Sequence, residues 1–362
     1  MYSTPIQNPP AAAFATPLSP HRFPTCSQKS TQSDRRHPIM AAKMFPARTA
    51  VVTGASSGIG AETARGLVRD LNTLDHLFLC CRDVAKGERI AAPLRSSSEG
   101  LDITIVPVEL TSPTSIVSCA ETLSAKLNGA PLDLLICNAG IMAPPLGFAD
   151  EFGEIEQQFA VNHLSHALLS QRLLPSLRAG DGGRVVFVSS MAASLARSRD
   201  TPPVSAERTK NELNEENYAK WNMYADSKLA MSMYARALAK KEANVESVSL
   251  HPGVVQTELG RYLLPSWMAE WASASAGKDP SLFQRFLSLF GFKTPVQGAE
   301  LSLELACADR GTLEDGEFYI AKGGKVISNR LAPLLRNGRE CEKVFTDAEE
   351  VLEKACPGDT AR

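Results

Sequence analysis

The 362-residue chain carries 38 Lys and Arg against 40 Asp and Glu, so its formal charge of -2 offers no basic face for nucleic acid or an anionic membrane. Hydrophobic residues make up 44%, enough for a substantial core, and no run of about 18 apolar residues is available to span a bilayer. The eight cysteines show no Cys-x-x-Cys pair and no zinc spacing; Cys80, Cys81 and Cys137 fall in apolar runs, which predicts buried thiols in a reducing intracellular compartment and no metal.

Residues 1–46 are rich in Ser, Thr, Pro and Ala, with Arg22, Lys29, Arg35, Arg36 and Lys43 against one acid, Asp34. Such a stretch cannot bury enough apolar surface to offset its ordering entropy. It reads as a disordered extension or as a transit-like segment directing the chain to a plastid or another organelle. Met40 and Met44 just before the first strand keep open an unused upstream start and a cytoplasmic protein.

Val51-Val52-Thr53 predicts a buried strand that breaks at Gly54, passes Ser56 and Ser57, and reaches Gly58-Ile59-Gly60. Ala64, Leu67, Val68 and Leu71 then recur at helical spacing, with Glu62, Arg65 and Arg69 toward solvent. Strand, glycine loop and helix start form an anion site, because unpaired amides and the positive helix end face a pyrophosphate that the glycines let approach. Thr53-Gly54-x-x-x-Gly58-x-Gly60 resembles the nucleotide loop of the short-chain dehydrogenase/reductase superfamily.

The second strand, His76 to Cys81, ends in Arg82-Asp83. At this strand tip a carboxylate suits the ribose 2′-hydroxyl of NAD and a guanidinium the 2′-phosphate of NADP. The resemblance puts the family's NADP-selecting Arg at Arg82 and its NAD-selecting acid at Cys81, which implies NADP(H); Asp83 is expected to cap the helix starting near Val84. A third strand, Ile103 to Val108, leads to Glu109 and Leu110, where the family usually has Asp bonded to the adenine amino group. The fourth, Leu132 to Cys137, leads to Asn138-Ala139-Gly140, matching the family's Asn-Ala-Gly motif that braces the sheet beside the cofactor. The helical segment from Ile155 contains Asn162, at the position of the family's fourth catalytic residue, which holds a water through a backbone kink. His163 and His166 sit three apart there, with no third ligand to make a metal site.

Arg184 to Ser190 is the fifth strand, delivering two serines at its carboxyl end. Successive strand residues face opposite ways, so one points at substrate; the family match selects Ser190 and leaves Ser189 in support. Residues 191–220 are polar and turn-rich, and predict a surface insertion without chemistry of its own. In Tyr224-x-x-x-Lys228 the two side chains share one helix face, and a nearby ammonium favours the phenolate and lowers the phenol's pKa toward the working range. The sixth strand, Val245 to His251, ends at Pro252-Gly253, with Thr257 placed by resemblance to hold the nicotinamide carboxamide. Residues 258–290 are the most apolar and aromatic part of the chain, containing Trp267, Trp271, Phe283, Phe286 and Phe290. A lid over a lipophilic substrate, a homodimer contact and membrane-surface contact through 263–290 all suit that composition. A helix over 293–307, a last strand over 316–320 and a closing helix over about 340–355 complete the pattern, with 351–362 as a tail.

Alternating strands and helices predict one α/β domain over 47–350, a doubly wound Rossmann fold of about seven parallel strands with helices on both faces. Thr-Pro-x-Gln-Gly-Ala, His251-Pro-Gly and Asn162-His-Leu look most like the branch of retinol dehydrogenases, plastid-envelope reductases and protochlorophyllide reductases. The resemblance implies an NADP(H)-dependent enzyme interconverting a carbonyl and an alcohol on a lipophilic, retinoid-like substrate. Tyr224 would exchange the proton, Lys228 and Ser190 would assist, and Asn162 would hold the relay water. Protochlorophyllide reductase is the rival enzyme, although this chain has Val254 where that family has Cys and keeps Gly140 where that family lacks Gly. A non-catalytic NADPH-sensing module is the reading from another class; the intact Ser190, Tyr224 and Lys228 set speaks against it.

Overall fold

The structure is a computed structural model describing residues 45–196, 209–255, 292–322, 325–328 and 333–357, all within the compact unit Ala42–Arg362. Its centre is an eight-stranded sheet built from β1 (Thr49–Thr53), β2 (His76–Cys81), β3 (Asp102–Pro107), β4 (Leu134–Cys137), β7 (Arg184–Val188), β8 (Glu246–His251), β9 (Phe318–Lys322) and β10 (Lys325–Ser328). The spatial order is β10-β9-β8-β7-β4-β1-β2-β3. Seven strands run parallel, as the alternation of elements predicts, and β10 adds an antiparallel edge through the register Lys325↔Lys322 to Ser328↔Tyr319. The strand order reverses direction at β1 and β4, and the crevice beyond their carboxyl ends is where such sheets bind ligands.

Side chains alternate cleanly across this sheet. Val51, Phe78, Cys80, Leu135, Cys137, Val185 and Phe187 enter one core, while Ala50, Val52, Leu77, Leu79, Leu134, Ile136, Val186 and Val188 enter the other. Strands buried on both faces read as continuous apolar runs, which is why they are visible in the sequence. Helices α1 (Gly58–Asp70), α2 (Val84–Ser97) and α7 (Pro295–Cys307) cover one face; α3 (Pro113–Leu127), α5 (Ser165–Arg178), α6 (Lys220–Lys241) and α8 (Gly338–Ala355) cover the other. Asp83 caps α2 as expected, accepting from the Lys86 amide at 2.9 Å.

Several boundaries differ from expectation. The helix expected from Ile155 starts at Gln157, because Ile155–Glu156 (β6) pairs with Phe148–Ala149 (β5) as a short hairpin. The helix then runs through α4 (Gln157–Phe159) and a π turn (Ala160–Leu164) into α5. The last strand expected over 316–320 is β9 at 318–322, followed by β10, and α8 extends to Ala355 into the expected tail. Phe45, ahead of the expected boundary, is 2% exposed and donates its amide to the Cys307 carbonyl. Among the described residues no helix is long and apolar enough to cross a membrane. The extension over 1–44, Thr257 and the segment 258–290 lie outside the described residues.

Candidate active site

The glycine loop is shaped by two positive backbone angles, φ +65° at Gly54 and +55° at Gly58. A Cβ on Gly60 would lie 2.4 Å from both the Gly54 carbonyl oxygen and Asn138 Nδ2, so only hydrogen fits where α1 closes on the turn. Ser57 at the N-cap makes no side-chain capping bond and the first turn of α1 holds no acid. Its leading amides thus face the crevice without a competing carboxylate. Thr53 Oγ1 accepts from the amides of Asn138 at 2.9 Å and Ala139 at 3.0 Å, and Asn138 Nδ2 donates to the Thr53 carbonyl at 2.8 Å. These bonds lock the ends of β1 and β4 together at the strand reversal.

Beyond β2 the Arg82 guanidinium is 76% exposed, with Nη1 3.7 Å from Glu109 Oε2. The other Glu109 oxygen accepts from the Thr111 amide at 3.2 Å and hydroxyl at 3.0 Å. Glu109, expected to accept from adenine, thus bonds Thr111 through one oxygen and lies within ion-pair distance of Arg82 through the other. Leu110 turns its side chain into the core, leaving only its backbone to face the crevice.

Asn162 stands in the π turn, the kind of helix irregularity that collects at functional sites. Its Oδ1 accepts from the Ile141 amide at 2.8 Å; Nδ2 donates to the Ile141 carbonyl at 3.0 Å and to Ser227 Oγ at 2.9 Å. That side chain braces the residues after Asn138-Ala139-Gly140 against α6. A Cβ on Gly140 would lie 2.9 Å from Asn162 Oδ1 and 3.3 Å from Lys228 Nζ, so the three meet around one small space.

Tyr224 and Lys228 are both buried on α6. Lys228 Nζ donates to the Val188 carbonyl at 2.9 Å, at the end of β7. Burial pushes the ammonium down to about 8, opposed by the Cys137 thiol. Burial pushes the Tyr224 phenol up to about 12, opposed by its hydrogen bond with the Ser190 hydroxyl. The phenol thus lies above its ordinary value, against the expectation that Lys228 lowers it; the ammonium is drawn to Val188 instead. The two serines divide as strand alternation requires: Ser190 meets Tyr224, whereas Ser189 Oγ donates to the Lys228 carbonyl at 2.8 Å and accepts from Ser232 Oγ at 2.9 Å.

Pro252 is buried and Gly253 takes φ +99°. A Cβ on Gly253 would meet Lys293 Cδ at 2.7 Å and Nζ at 3.2 Å, and one on Gly298 would meet Val255 Cγ2 at 2.7 Å and Ile59 Cγ1 at 3.1 Å. The start of α7 therefore presses on both the glycine loop and the Pro-Gly turn, and brings a cation there that no periodicity marks. His166, weighed from sequence only as a metal ligand, instead bridges Thr53 and Asn162. His163 packs edge-on to Phe159 and Tyr234 in the core. A polar side chain at a core position of an apolar helix is the signal that could have found His166.

A protein-family model described as short chain dehydrogenase matches residues 48–202. Retinol dehydrogenase 12 of Mus musculus is 32% identical over 312 residues, covering 85% of this chain and 87% of that protein. Polyprenol dehydrogenase of Mus musculus is 33% identical over 280 residues, covering 74% and 73%. The crystal structure of NADPH-bound carbonyl reductase from chicken fatty liver is 26% identical with a TM-score of 0.52, covering 75% of this chain and 95% of that one.

Proposed function

The chain belongs to the short-chain dehydrogenase family, oxidoreductases acting on CH–OH and C=O groups, and from that premise we propose that it is an NADP(H)-dependent enzyme interconverting a lipophilic aldehyde or ketone with its alcohol. The observation that carries this reading is the convergence of Ser190, Tyr224, Lys228 and the Asn162 π turn beside the glycine loop.

The residues fit a dinucleotide. The Gly54–Gly60 cradle would be filled by any added Cβ at Gly60, and the acid-free start of α1 suits a diphosphate. Ser56, Ser57 and Ile59 complete that loop, Arg82 would meet a 2′-phosphate, Asn138 to Gly140 would flank the nicotinamide end, and Pro252, Gly253 and Thr257 would hold its amide. Bound there, the dinucleotide supplies or accepts the hydride. Tyr224 donates the proton to the substrate oxygen, and a phenol held near 12 stays protonated at neutral pH, as a donor must be. Ser190 hydrogen-bonds that oxygen and the phenol together. Lys228 supplies positive charge beside the developing anion, and the Asn162 carbonyl holds the water that returns a proton. In the oxidation direction the same groups take the proton away.

For the substrate, retinol and polyprenol in the names of two relatives are both isoprenoid alcohols. The aromatic composition of 258–290 suits first a pocket for such chains, then a dimer contact or a membrane-surface contact.

The test is consumption of NADPH and NADH by the full chain with retinal and a panel of lipophilic aldehydes and ketones, alongside Tyr224→Phe. Turnover with NADPH should fall at least about 100-fold in the variant, while NADPH still binds. Tight NADPH binding without turnover of any carbonyl would sink the reductase reading and favour a sensing module.

A further inference from the structure

His166 lies on α5, four residues beyond Asn162, and is wholly buried. Both ring nitrogens have partners: Nε2 is 3.0 Å from Thr53 Oγ1 and Nδ1 is 3.2 Å from the Asn162 carbonyl oxygen. Counting hydrogens decides which nitrogen carries the proton. Thr53 Oγ1 already accepts the amides of Asn138 and Ala139, which fills both lone pairs. Its own hydrogen can go to the Ile136 carbonyl at 3.4 Å or to His166 Nε2 at 3.0 Å, and the imidazole is nearer. A protonated Nε2 would bring a third donor to a filled oxygen and leave a bare Nδ1 facing a carbonyl with no hydrogen between them. Nε2 therefore accepts and Nδ1–H donates. Burial pushes this ring down to about 3, opposed by its bond with the Asn162 carbonyl and helped by the charge of Lys228, so an imidazolium is disfavoured.

We propose that His166 is a positioning residue of the proton relay: clamped by Thr53 as the Nδ1–H tautomer, it occupies one lone pair of the Asn162 carbonyl and holds that carbonyl so that the other takes the relay water. This rests on the reductase reading above. Both Nδ2 hydrogens of Asn162 go to Ile141 and Ser227 and its Oδ1 holds the Ile141 amide, so the side chain serves as a brace and the relay water falls to the backbone carbonyl. A π turn alone widens the helix without fixing where its carbonyls point. His166 supplies the missing constraint and takes it from the same Thr53 hydroxyl that sets the Asn138–Ala139 turn. One run of hydrogen bonds thus links the turn seating the dinucleotide to the atom seating the relay water, and bonds in such a chain strengthen one another.

Two measurements on the full chain test this. In ¹⁵N-histidine-labelled protein between pH 5 and 8, His166 should show a protonated Nδ1, an unprotonated Nε2 and no titration. A protonated Nε2, or a ring that titrates in that range, overturns the proposal. In kinetics, His166→Phe should lower kcat by about tenfold, the scale of a small misplacement of a catalytic group, with the NADPH KM unchanged and a larger solvent isotope effect. His166→Asn, whose amide nitrogen can stand where Nδ1 stood, should restore most of that loss. Equal loss in both variants, or none in either, would mean His166 only fills the core and would also overturn the proposal. Should the unsubstituted chain turn over no carbonyl while His166 shows the expected nitrogen signals, the reductase reading is what fails, and the relay role goes with it.

Discussion

Lys228 carries the most consequence of any single residue here, because its charge is both needed and strained. Removal from water brings it down to about 8 from 10.5, with the Val188 carbonyl bound to it at 2.9 Å. The ammonium therefore persists at neutral pH and is lost as pH rises through about 8. Carbonyl reduction, which uses that charge, should decline on the alkaline side of a pH–rate profile with a midpoint of about 8, whereas Lys228→Met should be slow at all pH values and lose that limb. A profile for the unsubstituted enzyme that stays flat to pH 10 would show that Lys228 does not act as an ammonium. Stability moves in the opposite direction: between about 8 and 10.5 the unfolded chain holds the proton and the folded one does not, so this group makes folding more favourable as pH rises there.

Among the elements, the segment leading into α6 departs furthest from expectation. It predicts a surface insertion, and residues 197–208 lie outside the described part, but Thr209 bridges to Ile155 and Tyr218 turns inward. The Tyr218 hydroxyl donates to Glu156 Oε1 at 2.9 Å and accepts from Gln158 Nε2 at 2.9 Å. Gln158 also donates to the Lys220 carbonyl at 2.9 Å and accepts from the Ala143 amide at 2.8 Å, where the backbone takes φ +49°. The cluster ties the loop after Gly140 to the first residue of the helix bearing Tyr224. Burial raises the Glu156 carboxyl, and the Tyr218 phenol rises for the same reason, with the neighbouring carboxylate adding to it. Tyr218→Phe should cost about 1–3 kcal/mol, the penalty for buried partners left unmet, and raise the KM for carbonyl substrates. Unchanged thermal unfolding and unchanged KM would show that the insertion is the passive surface its composition suggests.

On the scale of the whole molecule, chemistry and anchoring sit at opposite edges of the sheet. The first residues of two strands, Arg184 of β7 and Glu246 of β8, pair at 2.6 Å, and the Arg184 side chain is fully buried. The same guanidinium donates to the carbonyls of Leu305 at 2.8 Å and Ala308 at 2.7 Å, closing the end of α7, and lies 4.6 Å from the Phe45 ring centre. Removing one partner of a buried pair leaves the other charge uncompensated, so Arg184→Ala should lose roughly 3–5 kcal/mol. Denaturant unfolding should register that loss while kcat per folded molecule stays near the parent value, since Tyr224 and Lys228 act at the carboxyl edge. A loss of kcat without loss of stability would contradict this separation.

The sequence by itself determined the seven parallel strands, the order of elements and the glycine cradle. Strands buried on both faces must be apolar throughout, and a turn needing positive φ at Gly54 and no Cβ at Gly60 leaves few alternatives to glycine. It also placed Tyr224 and Lys228 together, because residues four apart on a helix share a face. What only the tertiary structure decided are pairings between distant segments. The edge strand β10 and the β5–β6 hairpin are too short to carry a period, Glu109 is engaged by an Arg 27 residues earlier, and Tyr218 turns inward to meet Glu156 and Gln158. The phenol rises because desolvation outweighs its bond with Ser190 while the ammonium bonds Val188, and His166 shows its role only beside Thr53, 113 residues away. Hydrogen bonds and desolvation depend on which atoms meet in space, and no local spacing encodes that.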